Sequence, residues 1–103
     1  PVACLGLSYK ADIDDLRESP SIEFVRRLRG MMNNPILVVE PYVAELPAAL
    51  SGLNGVSLTG IDDALAKAAV VVLLTDHKAF TQLPPEAFAG RTVIDSRGAL
   101  KLP

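Results

Sequence analysis

"VACLGLSYKADIDDLRESPSIEFVRRL" (residues 2–28) runs from an apolar stretch, through a crowded charged turn, into a helical pattern. Residues 2–8 are mostly apolar, as a strand buried on both faces of a parallel sheet would be. Ser19-Pro20 supplies a helix start, with Ser as N-cap and Pro in the first turn. Ile22, Val25 and Leu28 then share one helical face with Phe24 beside them, while Glu23, Arg26 and Arg27 are free to face water. Gly30 is a stop signal, although Met31 and Met32 allow continuation. The stretch therefore reads as one β-α unit. Its turn is unusual: Lys10, Asp12, Asp14, Asp15, Arg17 and Glu18 stand where many α/β domains carry a glycine-rich phosphate loop.

Outward from this unit the alternation repeats. "PILVVEP" (35–41), "GVSLTG" (55–60), "AVVVLLTD" (69–76) and "RTVIDSRG" (91–98) read as strands, the fourth being the most apolar and central. "VAELPAAL" has room for a short helix despite Pro47, "IDDALAKA" (61–68) has helical spacing, and "HKAFTQLPPEAFAG" is a loop with one or two helical turns. Five strands alternating with helical segments predict a Rossmann-like three-layer sandwich over residues 1–103. The sheet is parallel and five-stranded, of order 3-2-1-4-5, with helices on both faces. In such sheets ligands sit beyond the carboxyl ends of the strands where the winding reverses, here between strands 1 and 4. Ser8-Tyr9-Lys10, Thr75-Asp76-His77 and Asp95-Ser96-Arg97 end strands 1, 4 and 5 on that rim. Two cations and an aromatic there suit an anion attached to something flat or polar.

Without G-x-G-x-x-G, backbone amides cannot approach a pyrophosphate in the usual dinucleotide manner. Phosphate recognition falls to side chains, with Lys10, Arg17 and Arg97 as candidates; Arg suits bidentate contact and Lys acts as a point charge. The alternative is that the loop charges pair among themselves. Asp12, Asp14 and Asp15 do not have the spacing of a calcium loop and read as turn formers and ion-pair partners, so no metal is expected. His77, the only histidine, lacks an identifiable nucleophilic partner and is expected at the surface or rim. Glu40 ends strand 2, where an acid grips a ribose in a complete dinucleotide fold; without the glycine fingerprint that role is weak. Cys4 lies inside strand 1 and is expected to be buried and unreactive.

The 103 residues are half hydrophobic and carry a net charge of −2, which argues against nucleic acid or anionic membrane as partner. Apolar runs are too short to cross a bilayer. A single cysteine fits a reducing cytoplasm. The chain opens on a strand and closes just after one, so it is expected to be one domain of a longer protein.

"GLSYKADIDDLRESPS" (6–21) resembles the opening of the C-terminal domain of the UDP-glucose/GDP-mannose dehydrogenase family, through Gly6, Tyr9-Lys10 and Asp15-Leu16-Arg17-Glu18-Ser19. "VIDSRG" resembles that domain's closing strand, and "VVEPYVAELP" with "DIDDLRESP" looks most like the UDP-N-acetylmannosamine dehydrogenase branch. The resemblance covers essentially the whole chain. It implies a domain that closes over the UDP part of a UDP-sugar, with Tyr9, Lys10 and Arg97 as substrate contacts. Arg17 would reach across the cleft to NAD, itself bound mainly by another domain. It also implies a homo-oligomeric, NAD-dependent parent oxidising a sugar C6 alcohol to a carboxylate through a cysteine thiohemiacetal. That cysteine belongs to a glycine-rich motif absent here, so no catalytic residue is expected in this chain, which should be inactive alone. Two rivals are a receiver-like signalling module and a subunit-association scaffold. A receiver needs acids after strand 1, an Asp after strand 3 and a Lys after strand 5; Tyr9-Lys10, Thr59-Gly60 and Arg97 stand there instead.

Overall fold

The computed structural model describes residues 1–13, 15–17 and 19–102. Five strands, β1 (Val2–Leu5), β2 (Ile36–Val39), β3 (Val56–Leu58), β4 (Val70–Leu73) and β5 (Thr92–Asp95), form one parallel sheet of order β3-β2-β1-β4-β5. The helices are α1 (Pro20–Met31), α2 (Ala48–Ser51), α3 (Ile61–Lys67) and α4 (Lys78–Thr81), followed by a 3-10 turn at Pro85–Phe88. The doubly wound order is the one the sequence predicts. The middle position belongs to β1; the apolar β4 lies beside it, still interior.

Strand alternation builds two cores. Ala3, Leu5, Leu37, Val39, Val71 and Leu73 point to one face, with Leu65 of α3, Phe80 of α4 and Phe88. Val2, Cys4, Ile36, Val38 and Val72 point to the other, with Val25 of α1 and Leu50 of α2. Because both faces of β1, β2 and β4 are covered, these strands need apolar residues at every position rather than alternate ones. Burial pushes the Cys4 thiol up to about 12, leaving it protonated and unreactive.

Each strand is shorter than the stretch the sequence assigns to it, and at three of them the reason is local. β1 ends at Gly6, whose φ of +100° turns the chain out of the sheet. Beyond β4, the Leu74 and Thr75 amides both donate to the Leu5 carbonyl, which ends the regular ladder. β5 ends where the Asp95 carboxylate begins to collect amides of the following turn. α1 starts as predicted, with Ser19 Oγ accepting from the Ser21 amide, and its Glu23 is paired with Arg26 and Arg27. Gly30 does not stop it; the turn away comes at Met32, which is extended.

Gly6 is the position where a side chain is least tolerable. A Cβ there would stand 2.5 Å from Thr75 Cβ and 2.9 Å from the Thr75 amide nitrogen. Gly6→Ala is expected to cost about 3 kcal/mol or more, from backbone strain plus overpacking. Gly30 has open space around it, and Gly30→Ala is expected to stabilise by about 0.5–1 kcal/mol. Urea unfolding midpoints moving in opposite directions would check both.

Candidate functional site

The carboxyl ends of β1, β4 and β5 open onto a groove of about 510 Å³, lined by Tyr9, Lys10, Phe24, Leu74, Ser96 and Arg97, with Pro20 and Ser21 at the start of α1. This is the winding-reversal point between β1 and β4. Tyr9, Lys10 and Arg97 thus converge from two segments separated by most of the chain. Tyr9 is 52% exposed and Phe24 40%, so the groove offers aromatic surface beside two cationic side chains. Phe24 is a lining residue that sequence reasoning grouped only with the helix's apolar face. Its exposure arises because α1 covers the sheet with Val25 and turns Phe24 toward the strand ends.

Arg97 is held by its surroundings. Its Nε donates to the Leu74 carbonyl at 3.3 Å, and Ser96 Oγ donates to the Leu73 carbonyl at 2.6 Å, tying the turn after β5 to the end of β4. Asp95 organises that turn: Oδ1 accepts from the Arg97 and Gly98 amides, Oδ2 from Leu100. Partial burial by itself would raise this carboxyl, but the amides outweigh it and hold it below the ordinary aspartate value of 3.8. Lys10 sits on a loop closed by the Tyr9 amide donating to the Asp15 carbonyl. Arg17 does not line the groove. Its exposed guanidinium makes two parallel bonds to Asp15, at 3.0 and 3.1 Å, and the Arg17 amide donates to the same carboxylate. Hydrogen bonding from Arg17 draws the Asp15 carboxyl down to about 2. Asp14 and Glu18 lie outside the described residues.

His77 overturns its expected place at the surface or rim: its side chain is fully buried. It stacks at tilted angles between Tyr42 and Phe80, with ring centroids 5.0 and 5.5 Å away. The Asp12 amide donates to Nδ1 at 2.7 Å, so Nδ1 is an acceptor and the ring proton sits on Nε2. Nε2 donates to Glu40 Oε1 at 2.9 Å, with Ser8 Oγ at 3.2 Å. Ser8, His77 and Glu40 have the composition of a catalytic triad without its geometry. Both partners address the same ring nitrogen, and Ser8 is buried and donates to the Lys10 carbonyl.

Glu40, also buried, is engaged inward rather than offered to a ribose. Oε1 accepts from the Leu7 amide at 2.8 Å and the Ser8 amide at 3.1 Å besides His77; Oε2 accepts from the Tyr42 amide at 3.1 Å. The sequence held a signal for this: an acid closing an all-apolar strand, and a lone histidine after another, must find partners if buried. Asp12 serves the same assembly. At φ 60°, it accepts the Lys78 amide, at the start of α4, on Oδ1 at 2.8 Å. Among the described residues no group of three or more His, Cys, Asp or Glu side chains is arranged to hold a metal ion, and no helix is long and apolar enough to cross a membrane.

Residues 3–102 match the sequence model of the UDP-glucose/GDP-mannose dehydrogenase family, UDP binding domain. The chain is 50% identical over 97 residues to an NDP-N-acetyl-D-galactosaminuronic acid dehydrogenase of Ralstonia solanacearum, covering 94% of this chain and 22% of that protein. It is 42% identical over 97 residues to a UDP-N-acetyl-D-mannosamine dehydrogenase of Salmonella typhi, covering 94% and 23%. Among solved structures it is similar to a UDP-glucose dehydrogenase from Pyrobaculum islandicum, with a TM-score of 0.77, 28% identity, and coverage of 95% of this chain and 22% of that one. The chain thus spans under a quarter of the length of these relatives.

Two carboxylates should dominate the stability of this end of the sheet. Glu40→Ala would leave the Leu7 and Ser8 amides and His77 Nε2 without their acceptor and should cost about 3 kcal/mol or more, read from urea unfolding. Asp95, whose folded pKa is depressed, contributes stability that is full above its unfolded pKa and is lost as pH falls through the lower folded value. Asp95→Asn should therefore lower stability at neutral pH and flatten the loss in acid, seen as a smaller shift of thermal midpoint between pH 5 and pH 2.5.

Proposed function

Since the chain belongs to the UDP-glucose/GDP-mannose dehydrogenase family, as its UDP-binding domain, we propose that it binds the UDP end of a nucleotide sugar for an NAD-dependent 6-dehydrogenase. The observation that carries this reading is the convergence of Tyr9, Lys10 and Arg97 on one groove at the winding-reversal point. Lys10 and Arg97 supply charge for the diphosphate; Tyr9, with Phe24 opposite the strand ends, supplies flat apolar surface for the base. Arg97 is preorganised by its bond to Leu74 and by the Asp95 turn, so little ordering is needed when an anion arrives.

The proposed substrate is a UDP-2-acetamido sugar, UDP-N-acetyl-D-mannosamine foremost, oxidised at C6 to its uronate for polysaccharide synthesis. The names of the relatives at 50% and 42% identity, an N-acetylgalactosaminuronate and an N-acetylmannosamine enzyme, support the acetamido class. In this reading the other parts of the parent supply the cysteine nucleophile and most of the NAD site, and the parent is a cytoplasmic homo-oligomer. This domain contributes binding energy from the unreacting end of the substrate, which positions C6 and favours closure. Arg17, outside the groove and on the exposed loop, is assigned to NAD across the interdomain cleft.

UDP titrated into the 103-residue chain, followed by amide NMR shifts, should perturb Tyr9, Lys10, Phe24, Ser96 and Arg97. Lys10→Ala and Arg97→Ala should each weaken binding by about tenfold to a hundredfold, the loss of a charge-assisted hydrogen bond. Shifts confined instead to a second cleft, lined in part by Val39, Pro41 and Ile61, or none at millimolar UDP, would overturn the assignment.

The same chain given NAD and UDP-N-acetyl-D-mannosamine should form no NADH. Enzyme-dependent absorbance at the NADH band would contradict the division of labour.

A further inference from the structure

His77 has no role in the reading above, yet its side chain touches both the buried carboxylate and the loop bearing Tyr9 and Lys10. Its Nε2 is tied to Glu40, at the end of β2, and its Nδ1 to the Asp12 amide, two residues beyond Lys10. Ser8, whose hydroxyl lies against the same Nε2, grips the Lys10 carbonyl at 2.6 Å. Asp12 in turn accepts the Lys78 amide, one residue beyond His77, and lies within 3.4 Å of the Tyr42 hydroxyl. The segment 8–12 is therefore fastened on both sides of Lys10, and both fastenings meet at one imidazole. Lys10 is itself exposed and has no core packing to fix it.

We propose that His77 is a positioning residue: it fixes the Tyr9-Lys10 loop at the groove, acting as a hydrogen-bond acceptor through Nδ1. Resting on the UDP-binding reading for its ligand, the proposal assigns the loop's geometry, and with it part of the anion affinity, to a buried ring that touches no ligand. The two ring nitrogens make separable contributions. His77→Asn places an amide oxygen where Nδ1 stands and retains an acceptor for the Asp12 amide while losing the Glu40 bond. His77→Gln places an amide nitrogen where Nε2 stands and retains the Glu40 bond while orphaning the Asp12 amide. A role limited to core packing does not distinguish these two variants in that sense, since both lose the ring's stacking on Tyr42 and Phe80.

The test is amide hydrogen exchange on the ligand-free 103-residue chain, paired with calorimetric titration of UDP. In wild type and His77→Asn the Asp12 amide should be protected. In His77→Gln it should exchange at least about tenfold faster, as expected of a locally opened segment. UDP affinity should follow the same order, falling about fivefold to tenfold in His77→Gln for one lost hydrogen bond. Continued protection of Asp12 in His77→Gln, or equal loss of UDP affinity in both variants, would overturn the proposal. If wild type binds no UDP, the UDP-binding reading fails, and the exchange comparison still decides whether His77 fixes the loop. Should His77→Gln not fold, His77→Asn decides alone: retained protection of the Asp12 amide and near wild-type UDP affinity despite the lost Glu40 bond support the acceptor role of Nδ1, and loss of either would overturn it.

Discussion

The carboxylate of Glu40 is the constraint on which the groove end of this domain depends. Removing an ionised carboxylate from water costs several kcal/mol unless it is fully hydrogen-bonded, and here it takes three backbone amides and an imidazole. Two of the amides, from Leu7 and Ser8, are the first after Gly6. In a glycine-rich phosphate loop the amides beyond the first strand are turned toward a pyrophosphate. In this chain the Leu7 and Ser8 amides are committed to an internal carboxylate, so in the proposed function an external anion is met by side chains. The buried carboxylate occupies the amides that a glycine-rich loop would offer outward, and Lys10 and Arg97 are the cations that line the groove.

The same constraint explains why so much polar chemistry lies beneath an open groove. Glu40 draws together the exits of β1, β2 and β4, and His77 transmits its position to Asp12 and so to the loop above. Arg97 is fixed separately, through Leu74 and the Asp95 turn. The two cations thus rest on independent supports, one under β1 and one after β5, and face one space. That space is open on one side, which suits a domain that, in the proposed function, meets its substrate together with other parts of a longer protein. Asp15 pairs with Arg17 on the exposed surface of the same loop, outside the groove.

Much of this was legible in the residues. The apolar runs at 2–8, 35–41 and 69–76 required strands covered on both faces, and their alternation with helical segments left few topologies open. Ser19-Pro20 marked the start of α1, and the rule for parallel sheets located the groove at the ends of β1, β4 and β5. That the loop acids would pair with the loop cations was legible as well; that the pair is Asp15 with Arg17 came from the structure. Strand lengths were not, because an apolar run does not announce where its ladder fails: β1 stops for the φ of Gly6, and β4 for two amides that share the Leu5 carbonyl.

Sequence by itself determined the fold class, the winding and the rim on which charged residues gather, because these follow from local periodicity and from the chirality of β-α-β connections. Tertiary structure alone decided which polar residues face the groove and which face inward. Glu40 and His77 stand at strand ends, as Lys10 and Arg97 do, and nothing in their spacing separates the two pairs. The difference is made by contacts between residues 30 to 70 positions apart, such as Glu40 with Leu7 and His77 with Asp12. A buried polar group is tolerated only where the fold brings partners to it, and those partners come together only when the strands are assembled.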